Sequence, residues 1–105
     1  MSLPEWQEKD FNDFISKGGT GVVEFGAPWC AACKATEPNM VEVSQTQKGM
    51  DFAKIDVGKN PELASKMGVM SLPNVIIFSN GKVKEQMIGM TPVKTLQEKL
   101  AKIAK

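Results

Sequence analysis

The apolar run Thr20-Gly21-Val22-Val23-Glu24-Phe25-Gly26 passes through Ala27-Pro28 into Trp29-Cys30-Ala31-Ala32-Cys33-Lys34, and no other stretch constrains the chain as tightly. The run reads as a strand that is apolar on both alternating faces, the pattern of a central strand covered on both sides. The segment after it reads as a helix. Both cysteines of the chain lie at this junction, separated by two small residues. A Cys-x-x-Cys loop at a helix start closes a disulfide within one turn, and its first sulfur faces the unpaired N–H groups and the positive end of the helix dipole. Those groups favour thiolate at Cys30, and thiolate is the form that attacks a disulfide. Cys30 is therefore the candidate nucleophile, and Cys33, one turn on and more enclosed, the candidate resolving thiol.

Blander readings of the pair are weaker. Two cysteines and no histidine cannot supply the four ligands of a self-contained structural zinc site, although a metal shared between two chains stays open. A bridge closing so short a loop restricts the unfolded chain little, which argues against a purely structural disulfide.

A length of 105 residues fits one domain, 1–105, with a single core. Hydrophobic content of 42% and charged content of 24% are ordinary for a globular chain, so disorder is not expected. Thirteen basic against twelve acidic residues give a net charge of +1, without the footprint of a nucleic-acid or anionic-membrane binder. Partners should then be recognised by shape and apolar contact. Met1-Ser2-Leu3-Pro4-Glu5-Trp6 lacks a basic region followed by an apolar one, and no later run approaches a membrane span, so a soluble cytoplasmic protein is expected.

Taken in order, Trp6, Phe11, Phe14 and Ile15 give residues 5–17 a loose helical period that ends at Gly18-Gly19. After the strand, a helix is expected from Cys30 to about Lys48, interrupted by Pro38 and closed by Gly49. Asp51–Val57 alternates as a strand. Asn60-Pro61 is a helix cap with proline at the first helical position, Leu63, Ala64 and Met67 make a buried stripe, and Gly68 ends the element. Strand, helix, strand, helix predicts parallel strands with helices on the faces. Leu72-Pro73 opens a further apolar strand, Asn80-Gly81 turns it as a two-residue hairpin, and Lys82–Ile88 returns antiparallel. Thr91-Pro92 caps a last helix whose stripe is Val93, Leu96, Leu100 and Ile103.

Glu24 is the anomaly in the first strand. If buried, its pKa should rise by desolvation unless a cation lies near, and it becomes a proton acceptor beneath the cysteines; if the strand is less covered than it looks, it points to water. Lys54, in the next strand, is either a surface residue or reaches toward Glu24.

Together, Trp29-Cys30-x-x-Cys33-Lys34 after a strand, Leu72-Pro73 forty residues beyond the second cysteine, the Asn80-Gly81 hairpin and Gly89 before a final helix resemble the thioredoxin family over nearly the whole chain from about Phe11. The resemblance implies an α/β fold with a central mixed β-sheet, a parallel core with an antiparallel edge hairpin, and helices on both faces. It implies that Trp29 shields the thiols and lines a docking groove, that Cys30 attacks and Cys33 resolves, and that Pro73 is a cis-proline beside the disulfide. Leu72 would pair through its backbone with an extended substrate, with Ala31, Gly89 and Met90 at the same surface. Glu24 stands where the family usually has a buried aspartate, and Lys54 where it has a nearby lysine. No cofactor is implied beyond the Cys30–Cys33 couple; the expected partners are disulfide-containing proteins and a recycling flavoprotein like thioredoxin reductase, with the chain a monomer.

Three departures stand out. Ala31-Ala32 replaces the usual Gly-Pro, and Ala32 keeps an N–H that proline lacks, so a lower Cys30 pKa and a less negative potential are expected. Glutamate replaces aspartate at position 24. Gly26 and Pro28 replace bulkier or charged residues, which should open one side of the groove. The altered loop keeps an envelope disulfide oxidase or isomerase as an alternative, and small Cys-x-x-Cys domains also carry soft metals. Trp29 and Leu72-Pro73 speak against the metal carrier, since metal transfer needs neither. Met70 and Met90 flank the groove either as gap-filling core or as a flexible thioether rim.

Overall fold

The computed structural model describes residues 2–103. Its elements run α1 (Glu8–Ser16), β1 (Gly21–Gly26), α2 (Ala31–Ser44), β2 (Asp51–Asp56), α3 (Pro61–Lys66), β3 (Asn74–Ser79), β4 (Lys82–Ile88) and α4 (Val93–Ile103). The sheet has the order β2-β1-β3-β4, which places β1 in its interior and the β3–β4 hairpin at one side.

Side chains on β1 alternate between two cores. Val22 joins Met40, Val43, Leu96 and Leu100 from α2 and α4. Val23 and Phe25 join Phe11, Phe14 and Leu63 from α1 and α3. Because successive strand residues point to opposite faces, Glu24 falls on the α2 side with Val22. That parity puts its carboxyl in a gap shared with Cys33.

The expectation of parallel strands holds for β1 and β2, whose register pairs Gly21 with Asp51 and Glu24 with Lys54. The expected antiparallel edge hairpin is β3 and β4, with β3 antiparallel to β1 and β4 antiparallel to β3. The connection from Asp56 to Asn74, with α3 inside it, delivers the chain to the end of the sheet where β1 stops. β3 therefore starts there, and Leu72-Pro73 arrives beside the cysteine loop.

Some boundaries differ from expectation for local reasons. The helical period expected over 5–17 does not reach Glu5 and Trp6: Glu5 bridges in parallel to Lys54, Lys54 N–H donates to Pro4 O at 2.9 Å, and Trp6 N–H donates to Lys54 O at 2.8 Å. The first helix starts only at Glu8, where Asp10 caps the Gln7 N–H at 2.8 Å. Asn60 precedes α3 as expected, but its side chain accepts from the Glu8 N–H at 3.1 Å and so tethers the start of α1 instead. The second helix ends at Ser44, ahead of Gly49. At the hairpin, Asn80 and Gly81 have φ of 55° and 78°, the left-handed pair that a two-residue turn requires.

Candidate active site

Cys30 is the N-cap of α2, and Cys30 and Cys33 are joined in a disulfide with their Cα atoms 5.2 Å apart. The Cys30 sulfur accepts a hydrogen bond from the Cys33 N–H at 3.1 Å. It thus takes one of the donors that a helix start leaves unpaired, and it stands at the positive end of the dipole. The helix begins at Ala31, as two alanines favour, and the donor to sulfur is Cys33 rather than Ala32.

The expected difference in enclosure between the two cysteines is absent, at 8% and 7% exposed. They differ in what they face. Cys30 opens on an outer groove with Trp29, Met70 and Leu72 on it and Val57, Pro61 and Ala64 across from them. Trp29 is 78% and Met70 94% exposed, so large apolar side chains stand free around the sulfur. This settles Met70 as rim rather than core. Nothing in the sequence marks the α3 wall of the groove, where Leu63 and Ala64 look only like a buried stripe and Pro61 only like a helix start.

Leu72-Pro73 is a cis peptide bond, and Leu72 lines the same groove as Cys30. Pro73 O accepts from the Gly89 N–H at 2.9 Å, which ties the end of β4 to the cis-proline. Gly89 has φ of 92°, a conformation suited to glycine, and nothing lies within 4 Å of where a Cβ would stand. Met90, next to it, is half exposed, with its sulfur 3.8 Å from Asn39 Nδ2. Ala31 is exposed at the start of α2.

Cys33 opens on a second cavity, inside the first turn of α2, of about 430 Å³. Glu24, Gly26, Pro28, Glu37 and Lys54 line it with Cys33. Gly26 and Pro28 thus open this inner slot, not the docking groove. A Cβ on Gly26 would stand 2.9 Å from Cys33 Sγ and 3.9 Å from Glu24 Oε2, so sulfur and carboxylate look into the same gap. Glycine at 26 keeps that gap clear.

Glu24 is 2% exposed, and Oε2 is buried without a hydrogen-bond partner. Its pKa is pushed up from 4.5 to about 7, chiefly by burial, further by the nearby Glu37 charge, and against the opposing pull of Lys54. The strand is therefore as covered as its apolar pattern implies, and the carboxyl lies beneath the cysteines. Lys54 does not bond to it. Its Nζ pairs with Glu37 at 3.2 and 3.1 Å, although Lys54 and Glu24 are cross-strand neighbours. Sequence reasoning misses Glu37; the available signal is its position four residues after Cys33, one turn along the same helix face.

Among the described residues, no group of three or more His, Cys, Asp and Glu side chains is placed to hold a metal ion, and no helix is long and apolar enough to cross a membrane.

Residues 2–102 match the family profile described as Thioredoxin. The chain is 40% identical to a thioredoxin of Staphylococcus aureus over 103 residues, 97% of this chain and 98% of the relative. The crystal structure of thioredoxin from Trypanosoma brucei brucei superposes with a TM-score of 0.87 at 33% identity, over 98% of this chain and 91% of that one. The solution structure of the oxidised thioredoxin from Plasmodium falciparum gives 0.86 at 28% identity, over 99% and 100% of the two chains.

Proposed function

Because the chain belongs to the thioredoxin family and is a thiol–disulfide oxidoreductase of the protein-disulfide-reductase type, we propose how its own residues divide that reaction. Cys30 thiolate bonds to one sulfur of a target disulfide and expels the other as thiolate, giving a mixed disulfide. Cys33 gives its proton to the Glu24 carboxylate and attacks the Cys30 sulfur. The bond to the target breaks, and the target leaves with both sulfurs reduced. Two electrons pass to the target as Cys30–Cys33 closes; the Cys33 proton rests on Glu24, and the two thiolates of the target take their protons from solvent.

The observation that carries this division is the opposite facing of the two sulfurs. Cys30 looks outward into an apolar groove that a partner can fill, and Cys33 looks inward at a carboxyl whose pKa lies near neutrality. A base poised near the operating pH accepts a proton in one step and returns it in the next. The groove supports docking of an extended segment along Leu72, with Trp29 and Met70 as apolar contacts and Gly89-Met90 beside Pro73.

The substrates in this reading are protein disulfides, and a flavoprotein like thioredoxin reductase restores the dithiol. The chain works as a monomer, and as a cytoplasmic reductant, since a reductant needs a compartment that supplies electrons.

Replacing Cys33 by Ser tests the division. The variant keeps the attacking thiol and loses the resolving one, so it should accumulate mixed disulfides through Cys30 with targets, detectable as dithiothreitol-sensitive adducts by mass spectrometry. Cys30→Ser should accumulate none. Equal trapping by both variants, or by neither, overturns the assignment.

A further inference from the structure

Glu24 and Glu37 line the inner slot together with Lys54. The parallel register sets Lys54 directly beside Glu24, which makes it the natural counter-ion for a buried carboxylate. The ammonium nevertheless goes to Glu37, with both carboxylate oxygens at 3.2 and 3.1 Å. Glu37 is held for this by a second contact, its Oε2 accepting the Leu3 N–H at 2.9 Å. The lysine is held as well: its backbone N–H and C=O are taken by Pro4 and Trp6 of the same N-terminal segment. Three chain segments therefore converge on one ion pair, and Glu24 Oε2 is left buried with no partner.

We propose that Glu37 is a positioning residue that keeps Lys54 off Glu24, so that the buried carboxyl is left without a counter-ion and free to exchange a proton with Cys33. The proposal rests on the proton-acceptor reading for its consequence in turnover but not for the titration of Glu24 itself. The physical basis is a competition between two carboxylates for one ammonium. Glu37 is partly exposed, whereas a carboxylate at Glu24 would stand charged in the protein interior. The competition therefore ends with the pair on the outside. The charged and titratable groups around Glu24 are few: Lys54 and Asp56 from β2, Cys33, Lys34 and Glu37 from α2, and Glu5 and Lys59 at the mouth of the slot. On its other flank β3 presents Val75, and the packed face of α4 presents Leu96 and Leu100. Only Glu37 combines a bond to the lysine with a position one turn from Cys33.

The experiment follows the 13C chemical shift of the Glu24 carboxyl against pH in the oxidised protein, with the pH profile of single-turnover disulfide reduction in parallel. Glu37→Gln keeps an acceptor for the Leu3 N–H and removes the charge that holds the lysine. Lys54 is then free to turn inward, and the Glu24 midpoint should fall by about half a unit or more. Lys54→Met removes the cation and leaves the Glu37 charge unpaired near Glu24, so the midpoint should rise. Because the Glu37 charge itself raises the Glu24 midpoint, the fall supports the proposal only when it is larger with Lys54 present than in the Lys54→Met background, and an equal fall in both backgrounds overturns it. A midpoint unmoved or raised in Glu37→Gln overturns it, as does a loss of thermal stability in that variant without any shift. Should Glu37→Gln fail to fold, Glu37→Asp decides: it keeps the charge but, one methylene shorter, loosens its hold on Lys54, so a lowered Glu24 midpoint supports the competition and an unmoved or raised one overturns it. The two readings separate cleanly, because shifts in the carboxyl titration that leave the turnover profile unmoved refute the proton-acceptor role and keep the positioning role.

Discussion

The two sides of the Cys30–Cys33 bridge are built on opposite principles. In front, Cys30 faces a groove whose apolar side chains, Trp29 and Met70, stand 78% and 94% exposed. Behind, Cys33 faces an inner slot in which the Glu24 carboxyl, 2% exposed, has no hydrogen-bond partner on Oε2. The front gains its free energy only when a partner covers it, so each contact there contributes modestly and tolerates replacement. The back already carries an unfavourable burial in the resting protein, so a change of one atom there moves both stability and proton affinity. Perturbations of the back should accordingly be large and pH-dependent, and those of the front small and substrate-dependent.

The largest effect is expected at Glu24. Its pKa rises from 4.5 to about 7 on burial, which corresponds to about 3 kcal/mol at 1.36 kcal/mol per pH unit. The sign depends on which state holds the proton more tightly. Between these two pH values the folded protein binds it and the unfolded chain does not, so this group makes stability fall as pH rises from 4.5 and level off above 7. Glu24→Gln never ionises. At pH 8 the oxidised variant should be more stable than the parent by about 2 kcal/mol, somewhat below the full amount because a buried amide must find its own partners. Near pH 4 the difference should largely vanish. Urea unfolding at the two pH values measures it, and equal stability at pH 8 would dissolve the contrast between front and back. The same variant should slow release of the mixed disulfide more than the first attack.

How much of this is legible in the sequence depends on the range of the interaction. The cysteine loop, the Asn80-Gly81 turn and the last helix rest on contacts among near neighbours, and they stand where the residue types predict. The cis bond at Leu72-Pro73 is legible only through family resemblance, because nothing local to the two residues demands it. Glu24 stands out because a lone carboxylate breaks an apolar strand. Glu37 carries no such mark: a glutamate on a helix is ordinary, and its importance comes from Leu3 and Lys54, which lie 34 and 17 residues away.

An intermediate effect is expected at the junction between the two sides. The loop residues Ala31 and Ala32 occupy the first two positions of α2, with the Cys30 sulfur bonded to the Cys33 N–H behind them. Exchanging the pair for Gly-Pro leaves that donor in place, removes the Ala32 N–H and weakens the helical start. The dithiol form, with its thiolate at Cys30, should be less favoured, and the potential more negative by about 30 mV, or about 1.4 kcal/mol. Equilibration with a glutathione buffer reads it directly. A potential unchanged or less negative in the variant would show that the loop does not tune the thiolate.

The smallest effect is expected on the rim of the groove, and it is the one that sharpens the comparison most. Met70 is almost wholly free, so its removal takes nothing from the folded chain, and Met70→Ser should leave stability and the Glu24 titration as they are. A partner docked along Leu72 would cover part of the thioether. Full burial of such a side chain is worth about 1.5–3 kcal/mol, and partial cover about a third of that, so kcat/KM for a protein disulfide should fall about fivefold or less. A small disulfide such as oxidised glutathione reaches Cys30 without spanning the rim and should be reduced at the parent rate. The ratio of the two rates is therefore the diagnostic quantity. A fall of equal size for both substrates would mean that Met70 acts on the sulfur itself, and the groove in front would then belong to the chemistry rather than to recognition.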